Sequence, residues 1–209
     1  ANFPVEFMCA LLTSESGNLD KVALYVDECR RMDIDVLPPD VNRSWYYFAV
    51  EGDAIRFGLG AIKNVGEGPI AVIAGERTEN GAFADIFDMC KRLDTRLLNR
   101  RCLESLNKAG AFTGMGWNRR QEEAVLDQAL GEGQSAQRDR DAGQFSLFDM
   151  DGMEDSVTTM HQQPDLPEFP DHEVLQMEKE MLGLYISSHP LDPYTHIIDR
   201  FGTANLLDL

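Results

Sequence analysis

The sequence predicts a mainly α fold: two helix-turn-helix units in tandem, one small β-hairpin, then an acidic linker and further helices toward the C-terminal end. Three observations predict it. Apolar residues recur at spacings of three and four through most of the first 130 positions. One stretch between Ser44 and Leu59 breaks that pattern: the run WYYFAV, the turn formers Glu51, Gly52 and Asp53, and the run AIRFGL read as strand, turn and strand. Beyond Leu130 the periodicity stops in a segment rich in Gly, Gln, Asp, Ser and Pro, residues 131–172, and returns at Glu173.

Taken in order, Phe3, Phe7, Ala10 and Leu11 mark one helix over 3–12, and Leu19, Val22, Ala23, Val26 and Cys29 mark a second over 18–32. Pro38 and Pro39 end this pair and bias Leu37 toward an extended backbone, so a boundary falls there. After the hairpin, short helices run from Ala61 to Leu130, with apolar stripes at Phe83, Ile86, Phe87, Cys90 and Leu93, at Cys102, Leu103, Leu106 and Ala109, and at Ala124, Val125 and Ala129. Residues 131–172 read either as a linker or as a long ordered wrap with few core contacts. A helix from Glu173 to about Ile186 and a short amphipathic one from Tyr194 to Phe201 close the chain, with His189 and Pro190 between them.

Composition narrows the function classes. With 209 residues, 43% hydrophobic, the chain can bury one or two modest cores. No run approaches 18 apolar residues and the start ANFPVEFMCALL has no basic leader, so neither a membrane span nor a signal peptide is expected; the reading is a piece of a longer chain. The four cysteines are expected as reduced core residues of a cytoplasmic protein, and the four histidines form no metal-ligand spacing. The net charge of -17 argues at first against nucleic acid, yet its distribution reverses that. Residues 91–120 hold eight Lys/Arg against two acids, whereas 121–180 hold three against sixteen.

Two signals in the basic half point to anion binding. In FGLGAIKNVGEGPIAVIAGER, Val65, Gly66, Glu67 and Gly68 separate two helical segments, with Pro69 in the first turn of the second. Such a turn brings backbone N–H groups and a helix dipole to one point, where a phosphate fits, and Lys63 supplies charge. The alternative is that both glycines only permit a tight turn. The spacing matches neither a dinucleotide fingerprint nor a Walker loop. The second signal is Asn-Arg-Arg, at 99–101 and again at 118–120, each opening a helix with Asn as N-cap. Cations in a first turn oppose the helix dipole, so an anion is expected beside Arg100, Arg101, Arg119 and Arg120, unless these arginines are only solvated. Gly110 is a left-handed C-cap between these helices, and the loop AFTGMG carries Gly114 and Gly116. Paired units of this kind hold duplex backbone without reading bases.

In the acidic segment, Gln144 to Phe148 read QFSLF. Leu147 and Phe148 need burial, either against their own domain or in a partner's pocket, with the Gln144 amide setting register and Ser146 within the same candidate binding segment. Asp33 and Asp35 have the spacing of metal-binding carboxylates but no third acid in a strand, so they read as a solvated turn.

These stretches, with ANFPVEFMCALLTSESGNLDKVALYVDECRRMDIDVLPPDVN, FDMCKRLDTRLLNRRCLESLNKAGAF and EKEMLGLYISSHPLDPY, resemble the C-family replicative polymerases, the α subunits of bacterial DNA polymerase III. The resemblance covers nearly all of the chain. It implies the end of a fingers domain (1–37), a tandem helix-hairpin-helix DNA-binding domain (38–130), an acidic linker with a clamp-binding motif (131–172), and helices preceding an OB-fold (173–209). Carried over by position, Lys63, Val65, Gly66 and Gly68 form the first hairpin. Ala111 to Arg120, with Gly114, Gly116, Asn118, Arg119 and Arg120, form the second, and Gln144, Leu147 and Phe148 the motif. The implied partners are double-stranded primer-template DNA, the β sliding clamp and other polymerase III holoenzyme subunits; no membrane is implied. No residue here inherits a catalytic role, and no cofactor is expected, Mg²⁺ belonging to the palm of the parent enzyme. A non-catalytic helix-hairpin-helix scaffold of repair and an error-prone polymerase paralogue are the rival readings.

Overall fold

Helix α1 (Pro4–Ser14) starts with proline in its first turn and packs antiparallel to α2 (Leu19–Arg31), which Asn18 caps by accepting from the Lys21 N–H at 3.2 Å. The computed structural model describes residues 2–141 and 161–201. Both expected helices form, burying Met8, Cys9, Leu12, Val22, Val26 and Cys29. Asp33 ends α2 in the left-handed conformation (φ 55°), and Ile34 N–H returns to Cys29 O at 2.9 Å. The solvated turn expected at Asp33 and Asp35 is present, with both acids exposed, and at Asp33 it also stops the helix.

The predicted hairpin is one part of a three-stranded sheet ordered β1-β3-β2, with β1 Val36–Leu37, β2 Ala49–Glu51 and β3 Ala54–Arg56. β2 and β3 pair antiparallel across Gly52 (φ 64°) and Asp53. The strand that sequence reasoning missed, β1, lies parallel to β3, and two residues are too short to show alternation. The aromatic run contributes less strand than expected. Trp45 and Tyr46 carbonyls accept from the N–H groups of Leu59 and Gly60, and the backbone there lies so close that a Cβ on Gly58 would stand 2.6 Å from Tyr47. Buried Arg56 straps the sheet, donating to both oxygens of Glu51 at 2.9 Å and to Pro38 O at 2.8 Å; these Arg56 hydrogen bonds hold the Glu51 carboxyl below its ordinary range.

The rest of the chain is helical: α3 Glu67–Asn80, α4 Ile86–Arg92, α5 Arg100–Lys108, α6 Arg119–Asp141, α7 Asp171–Leu182 and α8 Thr195–Phe201. Most of the predicted apolar stripe residues lie in one core with Phe57, Ile73, Phe112 and Leu126, whereas Ala124 of α6 and Phe3, Phe7 and Ala10 at the first helix are exposed. All four cysteines are buried there with free thiols, and burial pushes Cys90 up to about 12.

Two boundaries differ from expectation. The segment read as non-periodic from residue 131 begins as helix, because α6 continues to Asp141. Its extension lies on α4 through polar contacts: Lys91 to Glu132 at 3.1 Å, Thr95 to Gln137 at 3.2 Å, and Arg140 to Lys91 O at 2.6 Å. A Cβ on Gly133 would stand 2.3 Å from Cys90 O, so only glycine allows this approach. At the other end α7 stops at Leu182, four residues before the expected end, with Gly183 left-handed (φ 79°). Residues 161–170 form no helix or strand and lie against the start of α6. Among the described residues no helix is long and apolar enough to cross a membrane, and no group of acids, cysteines and histidines could hold a metal ion.

Candidate nucleic-acid interface

The first hairpin runs from a single 3-10 turn (Leu59–Ala61) to α3. Asn64 occupies the left-handed region (φ 64°), which asparagine tolerates better than most side chains, and this turns the chain toward Gly66. Gly66 is the N-cap of α3 and offers no side-chain acceptor. Ile70 N–H returns to Gly66 O at 3.4 Å and Pro69 has no N–H, so the donors at the helix start are Glu67 and Gly68. Nothing among the described residues accepts from either. Gly66 and Gly68 are exposed and no atom lies within 3.9 Å of the position a Cβ would take on them. The site is open to an anion.

Val65 departs from its expected role. Its side chain is 7% exposed and its N–H donates to Ile62 O at 3.3 Å, so it anchors the hairpin in the core and presents no group outward. Lys63 is exposed, and its N–H is fixed by Met181 O at 3.1 Å.

The start of α5 joins this surface. Asn99 caps the helix by accepting from Cys102 N–H at 3.0 Å, as expected. Arg101 donates to Asn64 Oδ1 at 2.7 Å, and Asn64 donates to Ser105 Oγ at 3.3 Å, which ties the α5 start to the first hairpin. Arg100 is exposed and pairs with Glu104 at 2.7 Å and with Asp127. Sequence reasoning passed over Asn64, although an Asn before Val-Gly is the residue type that a left-handed turn selects.

The second hairpin forms as predicted and is occupied. Gly110 is left-handed (φ 79°) and completes a Schellman closure, Ala111 N–H to Leu106 O at 2.9 Å and Gly110 N–H to Asn107 O at 2.8 Å. Gly116 is left-handed (φ 94°), and a Cβ on Gly114 would stand 2.7 Å from the Asp40 carboxylate. At the start of α6 every donor has a partner. Gln121 N–H reaches Asn118 Oδ1 at 2.9 Å while Asn118 N–H reaches Gln121 Oε1 at 3.0 Å, a reciprocal capping box that the spacing N-x-x-Q already carried. The N–H groups of Arg119 and Arg120 donate to the Glu168 carboxylate at 3.1 and 3.4 Å. The anion expected beside this pair is therefore a side chain of the same protein.

Arg119 is also removed from the surface. It is 12% exposed and pairs at 2.8 Å with Glu178, which is 0% exposed and also accepts from the N–H groups of Ile186 and Ser187 at 3.0 and 3.1 Å. Glycine at position 110 makes room, since a Cβ there would stand 2.4 Å from the guanidinium. Arg120 is exposed, with its guanidinium 5.7 Å from the Phe169 ring centroid.

The same correction applies to the basic block as a whole. Of its eight cations, Lys91, Arg92, Arg96, Arg100, Lys108 and Arg119 are ion-paired within the fold. Lys63, Arg101 and Arg120 have no carboxylate within ion-pairing distance among the described residues. The structure thus brings together Lys63, Gly66, Gly68, Arg100 and Arg101, and turns Gly114, Asn118 and Arg119 to packing. Gln144, Ser146, Leu147 and Phe148 lie outside the described residues.

Residues 33–122 match the helix-hairpin-helix motif family, which agrees with the paired helix, turn and helix units seen here. The fold is that of a helix-hairpin-helix module extended at both ends by further helices. The chain is similar over 100% of its length to the DNA polymerase III α subunits of Saccharopolyspora erythraea (41% identical) and Escherichia coli (40%), covering 18% of each. The α subunit of Deinococcus radiodurans is 45% identical over 93% of the chain and 14% of that relative. Along its whole length the chain is a homologue of the bacterial DNA polymerase III α subunit, and it spans about a fifth of the length of those relatives.

Proposed function

We propose that this segment holds duplex product DNA behind the active site of a replicative DNA polymerase and tethers that enzyme to its sliding clamp. Nucleotide addition, with its Mg²⁺, belongs in this reading to a palm domain elsewhere in the parent enzyme, and α7 and α8 lead toward an OB-fold. The observation that carries the DNA reading is the open start of α3: two unpartnered N–H groups at Glu67 and Gly68, beside Lys63 and the Asn64-linked Arg101, with no carboxylate accepting from either N–H among the described residues. Backbone donors and mobile cations of this kind hold phosphates without reading sequence.

Binding of the isolated chain to a short duplex is expected to be weak, and log affinity falls with log salt at a slope of roughly -2 to -3 if two or three phosphates are neutralised. The double variant Lys63→Ala, Arg101→Ala flattens that slope by about two, whereas a folded double variant with the parental slope would overturn the assignment.

The tethering half of the reading rests on the sequence of Gln144, Ser146, Leu147 and Phe148. Burial of Leu147 and Phe148 in a partner pocket is worth about 1.5 to 3 kcal/mol each before ordering costs, which suits micromolar binding. Calorimetry with a bacterial sliding clamp is expected to show binding that salt hardly changes and that Leu147→Ala, Phe148→Ala abolishes, with DNA affinity retained. Clamp binding that survives the double substitution would remove the motif from this role.

A further inference from the structure

Residues 161–170 lie along the start of α6 and close it. The His161 ring stacks on Phe87 with centroids 3.5 Å apart, and its Nε2 lies 3.0 Å from Glu132. Gln163 donates to Gln121 at 2.8 Å; Gln121 in turn donates to Pro164 O and Leu166 O, and Asn118 donates to Leu166 O at 3.0 Å. Glu168 then places one carboxylate oxygen on each of two consecutive backbone N–H groups, those of Arg119 and Arg120. Phe169 covers the Arg120 guanidinium.

The starts of α3, α5 and α6 differ in one respect. At α3 and α5 the first two N–H groups have no acceptor among the described residues, while at α6 a carboxylate sits on both. Two oxygens of one anion on two adjacent backbone donors is also how a backbone phosphate is held at such a turn. Glu168 is exposed, so water and salt screen its hold, and a second anion can reach it. Arg120 has no carboxylate of its own to give up.

We propose that residues 161–170 are an autoinhibitory strap. Glu168 stands in for a phosphate at the second hairpin, so that the module grips DNA through the first hairpin alone. When the strap lifts, the N–H groups of Arg119 and Arg120 and the Arg120 side chain take a second backbone phosphate. This rests on the reading of the module as a duplex-DNA grip. The strap shares its chain with the acidic linker, which gives a local carboxylate the advantage of proximity over any single phosphate in solution.

The test compares the full 209-residue chain with Glu168→Ala and Glu168→Gln on one short duplex across salt concentrations. Glu168→Ala is expected to bind about 3- to 10-fold tighter at low salt with a slope steeper by about one, Glu168→Gln to fall between, and Arg120→Ala added to Glu168→Ala to erase the gain. Arg119 and Arg120 amide resonances move on adding duplex to Glu168→Ala and stay in place in the parent chain. Folded Glu168→Ala and Glu168→Gln chains with parental affinity and slope would overturn the strap and leave Glu168 a helix cap. If both Glu168 variants gain nothing while the parent chain still binds through Lys63 and Arg101, the first-hairpin reading stands and only the strap falls. A parent chain without salt-dependent binding removes that reading, and if Glu168→Ala also gains nothing the strap goes with it.

Discussion

Replacing Glu178 by Ala is expected to lower the stability of the chain by about 3 to 5 kcal/mol, the cost of leaving a buried cation without its partner. Glu178 is wholly buried and holds three groups at once: the Arg119 guanidinium, Ile186 N–H and Ser187 N–H. Arg119 cannot find water instead, since it is 12% exposed and its Nε already lacks an acceptor. The thermal midpoint falls by roughly 6 to 20 °C for a chain of this size. Arg119→Met added to Glu178→Ala recovers part of the loss, because a well-packed apolar pair replaces a buried ion pair at little cost. Chemical denaturation of the single and double variants measures both. A Glu178→Ala loss below about 1 kcal/mol would mean that Arg119 swings free.

Raising the pH is expected to destabilise the chain through Glu122. This carboxyl is 1% exposed, its Oε2 has no partner, and burial first, with the nearby charge of Asp85 second, raises it from the usual 4.5 to about 8. The folded state therefore keeps a proton that the unfolded state has released. The stabilising contribution is fully present below pH 4.5, falls by up to about 1.4 kcal/mol per pH unit as pH rises, and is gone above about 8. Glu122→Gln, neutral at every pH, flattens this dependence and gains several kcal/mol over the parent at pH 8, while the two converge below pH 4.5. Parallel pH profiles of the two chains would contradict it.

Much of the fold was legible because apolar periodicity carries it. The stripe of Cys102, Leu103 and Leu106 and the Gly110 stop are local signals, and both took their expected places. The extension of α6 to Asp141 was not legible, since polar pairs with α4 and a close approach at Gly133 hold it instead of an apolar stripe. Strand β1 was hidden for the opposite reason, two residues whose pairing partner, β3, lies 19 positions away.

The candidate site divides in the same way. Gly66, Gly68 and the Asn99 cap follow from local backbone needs and could be read directly. The roles of the arginines could not. Arg100 and Arg119 occupy equivalent places in repeated Asn-Arg-Arg triplets, yet one stays exposed beside Glu104 and Asp127 and the other is drawn in to Glu178, 59 residues away. Likewise the positive charge of residues 91–120 is a property of the chain segment, while in the fold six of its eight cations are ion-paired. Glu168 and Glu178 sit in the acidic half, which composition describes as solvating and the fold uses to seal the second hairpin.

The most direct measurement maps amide resonances of the parent chain during titration with a short duplex of arbitrary sequence. Shifts are expected at Gly66, Glu67, Gly68, Arg100 and Arg101, with Arg119 and Arg120 unmoved, and these shifts fade as salt rises. Perturbation centred on the α6 start, with Gly66 to Gly68 unmoved, would contradict the assignment of DNA contact to the first hairpin.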